Sequence, residues 1–151
     1  MKKQTISIKD LSIIENQLLQ SKAGVIAFGD EDDEVRQAVV NYVYKDKNIF
    51  FAISEREELL EKIQFNSRVC FTVFKTVEPP NAGNKNSHTT FSVSLFGIIK
   101  EVDEEKLLNE FVQDYTKKYF KDSSGNQNKS YTEGKVIMID SEEIQAIEET
   151  I

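Results

Sequence analysis

Disulfide chemistry is closed to this sequence, because its 151 residues include a single cysteine. That cysteine, Cys70, lies in a β-branched, aromatic run, where it reads as a small inert hydrophobe and gives no support for secretion. Histidine is equally scarce. His88 stands in a polar loop with no second histidine and no cysteine near it, so it makes no metal site on its own. Tryptophan is absent, and two prolines and six glycines leave few forced turns. Long apolar runs are missing too: nothing approaches the ~20 residues that span a bilayer. The basic start MKKQ leads into a polar, interrupted segment and not into a signal peptide. The expected setting is cytoplasmic, with no membrane partner. GxGxxG, GxxxxGK[ST], HExxH, CxxC and GxSxG do not occur, so hydrolytic and nucleoside-triphosphate chemistry has no visible residues to run on. Net positive charge is lacking as well. At a formal −7 the chain repels a phosphate backbone, and nucleic acid is excluded as a general partner. The local exception, Lys117, Lys118 and Lys121, reads as a solvated helix end favoured by the helix dipole.

What is present is a β-rich pattern. Ten Phe and five Tyr within 39% hydrophobic residues suffice for one core, and the length suits one domain over residues 1–151. Ser7 and Asp10 have the Ser-x-x-Asp form of a cap, with Leu11, Ile14 and Leu18 at helical spacing after it and Gly24 as the stop. Residues 24–29 read as a buried strand. The acids Asp30, Glu31, Asp32, Asp33 and Glu34 then form a solvated turn, since adjacent carboxylates converge poorly on one ion and the calcium-loop pattern is missing. No metal ligand is assigned. Residues 35–45 alternate, and Asp46, Lys47 and Asn48 turn them back into 49–53 as a hairpin. Gln37 and Asn41 share one face of the first strand, either offering amides to a flat ligand or facing solvent.

Ser54 and Glu57 form a capping box for a short helix carrying Leu59, Leu60 and Ile63. Such an N-terminus points backbone N–H groups at an anion. Glu55, Glu57 and Glu58 crowd the same end and repel a phosphate, with Arg56 the opposing charge, so Ser54 reads either as an ordinary cap or as a ligand. Strands follow at 68–75 and 90–102, joined by a polar loop over 76–89, with Gly97 as a bulge in the second. A helix begins at Asp103, Glu104 and Glu105, with Leu107, Leu108, Phe111, Val112, Tyr115 and Tyr119 on one side. A linker over 122–135 precedes a strand at 136–139, where Asp140 or Ser141 caps a last turn and the remainder is helix or strand. Six strands with this many apolar faces predict a mainly β fold with flanking helices, closed as an antiparallel barrel.

The opening helix leading into GVIAFG, the hairpin VVNYVYKDKNIFFAIS, the segment FNSRVCFTVF and the strand VSLFGIIKEVDEEK resemble the pyridoxamine 5′-phosphate oxidase-like FMN-binding split-barrel family over nearly the whole chain. Asn66, Arg68, Val69 and Gly97 match it most closely, and the acidic helix resembles its small general stress and nitroimidazole-resistance members. The resemblance implies a six-stranded split β-barrel and a homodimer holding FMN at the subunit interface. It further implies an oxidoreductase-like protein acting on a small-molecule ligand. By the same resemblance the strand Val39, Val40 and Asn41 contacts the flavin, to which the shared amide face adds Gln37, and Ile53, Ser54 and the helix after them lie near its phosphate, with Arg56 or Lys62 as cations that compensate by a different route. The family's Ser-Arg-Lys phosphate grip falls on Glu57, Glu58 and Leu59 here, and its prolines on Val35 and Val39. No side chain is assigned as acid or base. The alternatives are a split-barrel dimer that has lost FMN and binds another ligand or regulates, and a haem protein using His88.

Overall fold

The computed structural model describes residues 3–54, 57–77, 88–120 and 134–151. Its eight strand segments are β1 (Gln4–Ile8), β2 (Ala23–Gly29), β3 (Val35–Asn41), β4 (Val43–Lys45), β5 (Asn48–Ser54), β6 (Arg68–Val77), β7 (Thr89–Val102) and β8 (Gly134–Thr150). The helices are α1 (Leu11–Gln20), α2 (Glu58–Lys62) and α3 (Glu105–Tyr119). Every strand pair is antiparallel, in the order β3-β2-β6-β7-β8-β5-β4, and β1 adds to β8.

The two ends of that order are one piece of chain. β3 ends at Asn41 and β4 starts at Val43, so the strand predicted over 35–45 serves both edges of the sheet and changes partner at Tyr42. Its first half pairs with β2 and its second half with β5. This closes the sheet into a split barrel, with a seam where β3 and β5 run without pairing. The bend sets Tyr42 outside both ladders, which leaves two backbone polar groups needing partners. α3 supplies them. The Tyr42 N–H donates to the Tyr119 hydroxyl at 2.9 Å, and the Tyr42 carbonyl accepts from Lys118 Nζ at 3.0 Å. The Tyr119 oxygen also lies 2.6 Å from the Lys22 carbonyl and 2.9 Å from that of Tyr42, and it donates to one of them.

Two apolar cores follow from the alternation. Inside the barrel, Tyr42, Ile49, Phe51, Phe71, Leu95, Ile99 and Ile139 pack with Ile14 and Leu18 of α1. Outside it, Phe111 and Tyr115 of α3 cover Val43, Phe50, Val102 and Val136. β5 is therefore buried on both faces, which is why Ile49, Phe50 and Phe51 run apolar without a break.

The structure corrects several local expectations. Ser7 lies in β1, and the cap of α1 is Asp10, whose side chain accepts from the Ser12 N–H at 3.0 Å. Gly24 does not stop α1, which ends at Gln20; it sits in β2 because a Cβ there would run into the buried Phe71 ring. α2 begins at Glu58 with Glu57 at its cap position, and Ser54 closes β5 instead. β8 runs straight through Asp140 and Ser141, which cap nothing: Asp140 pairs with Lys100 at 2.9 Å, and the Ser141 N–H donates to Asn48. The strand count is eight and not six, because the segment around Ser7 is a strand and the 35–45 strand divides. Most of the loop over 76–89 and of the linker over 122–135 lies outside the described residues.

Asn66 and Gly97 have backbone reasons for being where they are. Asn66 takes a left-handed conformation at φ 67°, which asparagine tolerates, and its N–H donates to the Ile99 carbonyl at 2.7 Å. Gly97 occupies the β7–β8 register shift, where a Cβ would collide with the Asp140 backbone carbonyl. The Asp46–Lys47 turn has both residues at positive φ, 51° and 68°, the two-residue reversal whose twist suits a hairpin.

Replacing Tyr119 by Phe leaves the Tyr42 N–H without its acceptor. Urea unfolding of Tyr119→Phe is expected to show a loss of about 1–3 kcal/mol, the usual cost of an orphaned polar group; an unchanged midpoint would show that the bend does not depend on this hydroxyl.

Candidate functional site

β3 is the last strand at its side of the sheet. One of its edges pairs with β2 and the other faces the seam. Along it Val35, Gln37, Val39 and Asn41 are exposed and Arg36, Ala38 and Val40 half-buried, as the period of two demands. Gln37 and Asn41 thus flank Val39, itself 72% exposed, on one surface. Two amides with an apolar residue between them, beside unpaired backbone, suit a flat heteroaromatic ring that needs donors, acceptors and a greasy face.

On the other side of the seam, Ile53 is buried in the barrel core and Ser54 is exposed at the end of β5. The Ser54 N–H donates to Glu57 Oε1 at 3.3 Å, and its carbonyl accepts from the Glu57 N–H. Lys62 closes α2 with its ammonium 2.8 Å from Glu58, and that contact holds the Glu58 carboxyl below its usual range. Arg36 and Glu58 also sense each other's charge, so β3 and α2 border the same opening. Gln37, Val39, Val40 and Asn41 therefore lie on one bank, with Ser54 and Lys62 on the other. Ile53 turns inward, and Arg56 lies outside the described residues.

Among the described residues, the cations around the seam already have partners. Arg36 Nε sits 2.7 Å from Asp30 and its Nη2 3.3 Å from Glu34. Lys135 lies not in a linker but in β8, opposite Ile53 of β5, and its ammonium is 3.5 Å from Glu101. A flavin therefore fits this site unevenly. The ring end could be served by β3, whereas a phosphate would have to draw cations from carboxylates. The Arg36–Glu34, Lys62–Glu58 and Lys135–Glu101 pairs are largely exposed and worth about 0–1 kcal/mol each, so a doubly charged anion can displace them, whereas Arg36–Asp30 ends on a buried carboxylate and is held more firmly.

Asp30 is not the solvated acid expected of its turn. It is 6% exposed and accepts from the Asp32 and Glu34 N–H groups at 2.8 and 3.0 Å as well as from Arg36. The Arg36 hydrogen bond is the largest influence holding its carboxyl below the usual value of 3.8. Asp30 thus ties the start of β3 to the end of β2.

The outer face across β2, β6 and β7 carries no charge through its middle. Cross-strand register places Val39, Val25, Thr72 and Ser94 in one row, and Ala27, Cys70 and Phe96 in the next. Phe74 and Val35 stand out from this face at 63% and 85% exposure. A cleft of about 400 Å³ opens at its end between Val35, Cys70, Phe96, Arg68 and Glu142. Sequence reasoning missed this surface, because it exists only once four strands are in register.

An antiparallel barrel with one bent strand and an open seam defines a split-barrel protein. The profile described as Pyridoxamine 5′-phosphate oxidase matches residues 13–148, and the chain belongs to that family. A candidate 5-nitroimidazole antibiotic resistance protein from Bacteroides thetaiotaomicron superposes with a TM-score of 0.79 at 18% identity, over 99% of this chain and 90% of that one. An FAD-binding protein from Mesorhizobium loti gives 0.70 at 14% identity, over 98% of each chain. The heme storage protein of Vibrio cholerae gives 0.66 at 10% identity, over 91% of this chain and 94% of that one. Identities this low speak for the fold alone. No curated protein matches the chain by sequence. Among the described residues no helix is long and apolar enough to cross a membrane.

The charge of Asp30 has a readable pH signature. Its folded carboxyl lies below 3.8, so the folded state holds the charge more readily than the unfolded chain. The resulting stability is present above that value and is lost as pH falls through the lower, folded one. Asp30→Asn is expected to unfold more easily at neutral pH and to lose less on acidification than wild type, measured as urea midpoints from pH 7 down to about 2. Parallel curves would remove Asp30 from this role.

Proposed function

We propose that this protein binds FMN along the seam between β3 and β5 and acts as a cytoplasmic, homodimeric, oxidoreductase-like protein on a small molecule. The observation that carries this reading is the free edge of β3, which presents Gln37, Val39 and Asn41 on one exposed surface beside the opening. Membership of the pyridoxamine 5′-phosphate oxidase family supports it, as does the fold shared with a protein named for FAD binding. A bound flavin supplies hydride chemistry, and the protein supplies orientation and electrostatics. Here the amides of Gln37 and Asn41 meet the polar rim of the ring, Val39 and the half-buried Val40 shape the β3 bank, and Ser54 with Lys62 receives the phosphate. The uncharged outer face with Phe74 and Val39 exposed suits a second copy of the same chain, which would also shield the ring from water.

A second reading, a dimer that binds a ligand other than FMN, is favoured by the pairing of Arg36, Lys62 and Lys135 with carboxylates. Haem would need an axial ligand. His88 is exposed, and its backbone pairs with Ile151.

Purified protein should be yellow, with an absorbance band near ~450 nm from the flavin, or should acquire that band on adding FMN. A colourless protein that takes up no FMN by calorimetry sinks the proposal, and a Soret band would favour haem. Glu58→Gln releases Lys62 and is expected to tighten FMN binding by about two- to fivefold, the worth of one exposed pair; unchanged affinity would place the phosphate elsewhere. Phe74→Glu puts a carboxylate in the uncharged face. Sedimentation velocity should then show a dimer for wild type and a monomer for the variant, whereas a wild-type monomer would refute the association.

A further inference from the structure

The second site lies where α3 meets the strand bend, away from the residues assigned to the flavin. Lys118 stands in the last turn of α3, half-buried, with its ammonium 3.8 Å from the centre of the Tyr42 ring and 5.3 Å from that of Tyr119. It donates to the Tyr42 carbonyl. Among the described residues no carboxylate pairs with it, whereas nearby Lys45 is held 3.2 Å from both Glu110 and Asp114. The expectation of a solvated helix end thus fails for Lys118, and Lys121 lies outside the described residues.

A cleft of about 470 Å³ opens beside it, with Leu19, Val43 and Tyr44 on its apolar side and Lys117 and Lys118 among its polar residues. Lys22 reaches the same helix end, donating to the Lys118 carbonyl at 3.3 Å. Three lysines, none ion-paired among the described residues, face a chain that is otherwise strongly acidic. The groups around the Lys118 amine are Lys22, Tyr42 and Tyr119, while Lys117, Lys45, Asp114 and Tyr44 line the cleft beside it; Lys45 is shared between Asp114 and Glu110, so that cluster keeps one net negative charge. Burial, and then the charge of Lys22, pushes the Lys118 amine down to about 8, so a fraction of it is uncharged at neutral pH. Burial likewise pushes Tyr119 up to about 12, and it raises Tyr42, so neither ring contributes an anion there.

We propose that Lys118 is a nucleophilic amine that forms an imine with a small aldehyde bearing an acid group, and that Lys117 holds that acid group. The uncharged amine adds to the carbonyl carbon, one proton moves from nitrogen to oxygen, and water leaves. Amine and aldehyde thus give imine and one water, and no oxidant or reductant is consumed. The protonated imine keeps one N–H for the Tyr42 carbonyl, so the adduct forms without undoing the bend.

Glyoxylate serves as the anionic probe and acetaldehyde as the neutral one, each trapped at pH 7 with cyanoborohydride and mapped by peptide mass spectrometry. Lys118 is expected to be labelled by glyoxylate about tenfold or more faster than exposed Lys9 and Lys47, because burial leaves a larger part of its amine uncharged and reactive. Labelling of Lys118 no faster than of Lys47 overturns the proposal. Lys117→Gln should slow glyoxylate labelling of Lys118 about threefold or more and leave acetaldehyde labelling unchanged, as expected for loss of a nearby opposite charge. Equal effects on both probes would remove Lys117 from the site. Matching far-ultraviolet circular dichroism and melting curves establish that the variant is folded.

Discussion

The peptide at Tyr42 is the constraint on which the rest of this structure depends. One strand must pair with β2 along its first half and with β5 along its second, and the change of partner strands a backbone N–H and carbonyl between two ladders. A buried peptide without hydrogen bonds costs several kcal/mol in an apolar surrounding. Lys118 and Tyr119 supply the partners, so α3 is a structural part of the barrel and not an ornament on it. The Tyr42 side chain meets the same need inward, where its hydroxyl donates to the Leu18 carbonyl near the end of α1 and its ring packs edge-on against Phe71. One residue thereby joins both cores, two helices and the seam.

The seam and the second cleft are consequences of that bend with opposite electrostatics. Where β3 leaves β5, the free edge offers amides and apolar surface, but its cations are tied to Asp30, Glu34, Glu58 and Glu101. Where α3 arrives to satisfy the bend, lysines are drawn together by backbone carbonyls and tyrosine rings instead of by acids. A carbonyl satisfies an ammonium's hydrogen bond without cancelling its charge, so the positive potential survives there. The pyridoxamine 5′-phosphate oxidase family fold thus holds, in this chain, one free strand edge whose described cations are paired with acids and one cleft whose Lys117 and Lys118 have no acidic partner among the described residues.

Much of the fold was legible because its signals are local. Alternation marked β3 and β7, short apolar or β-branched and aromatic runs marked β2, β5 and β6, the two positive-φ residues after Lys45 matched a hairpin, and Gly97 lay where the β7–β8 register shifts. β1 was missed although Thr5, Ile6, Ser7 and Ile8 alternate, because Ser7 and Asp10 also fit a cap and the local pattern could not choose between them. The end of β8 was ambiguous for the same reason: its alternation is weak, and pairing with β7 and β1 decided it. The residues proposed for the flavin were named from sequence, but their division between two banks of a seam was not.

By itself the sequence determined the fold class, the alternating faces that fill the barrel, the lack of disulfide and metal-motif chemistry, and the acidic character of the chain. These depend on composition and on period, which survive without knowledge of distant contacts. Only the tertiary structure decided which half of the 35–45 strand pairs with which neighbour, which cations keep an acidic partner, and that Lys118 is half-buried over Tyr42. The last of these joins residues 76 positions apart in the chain, and no local pattern carries such a contact.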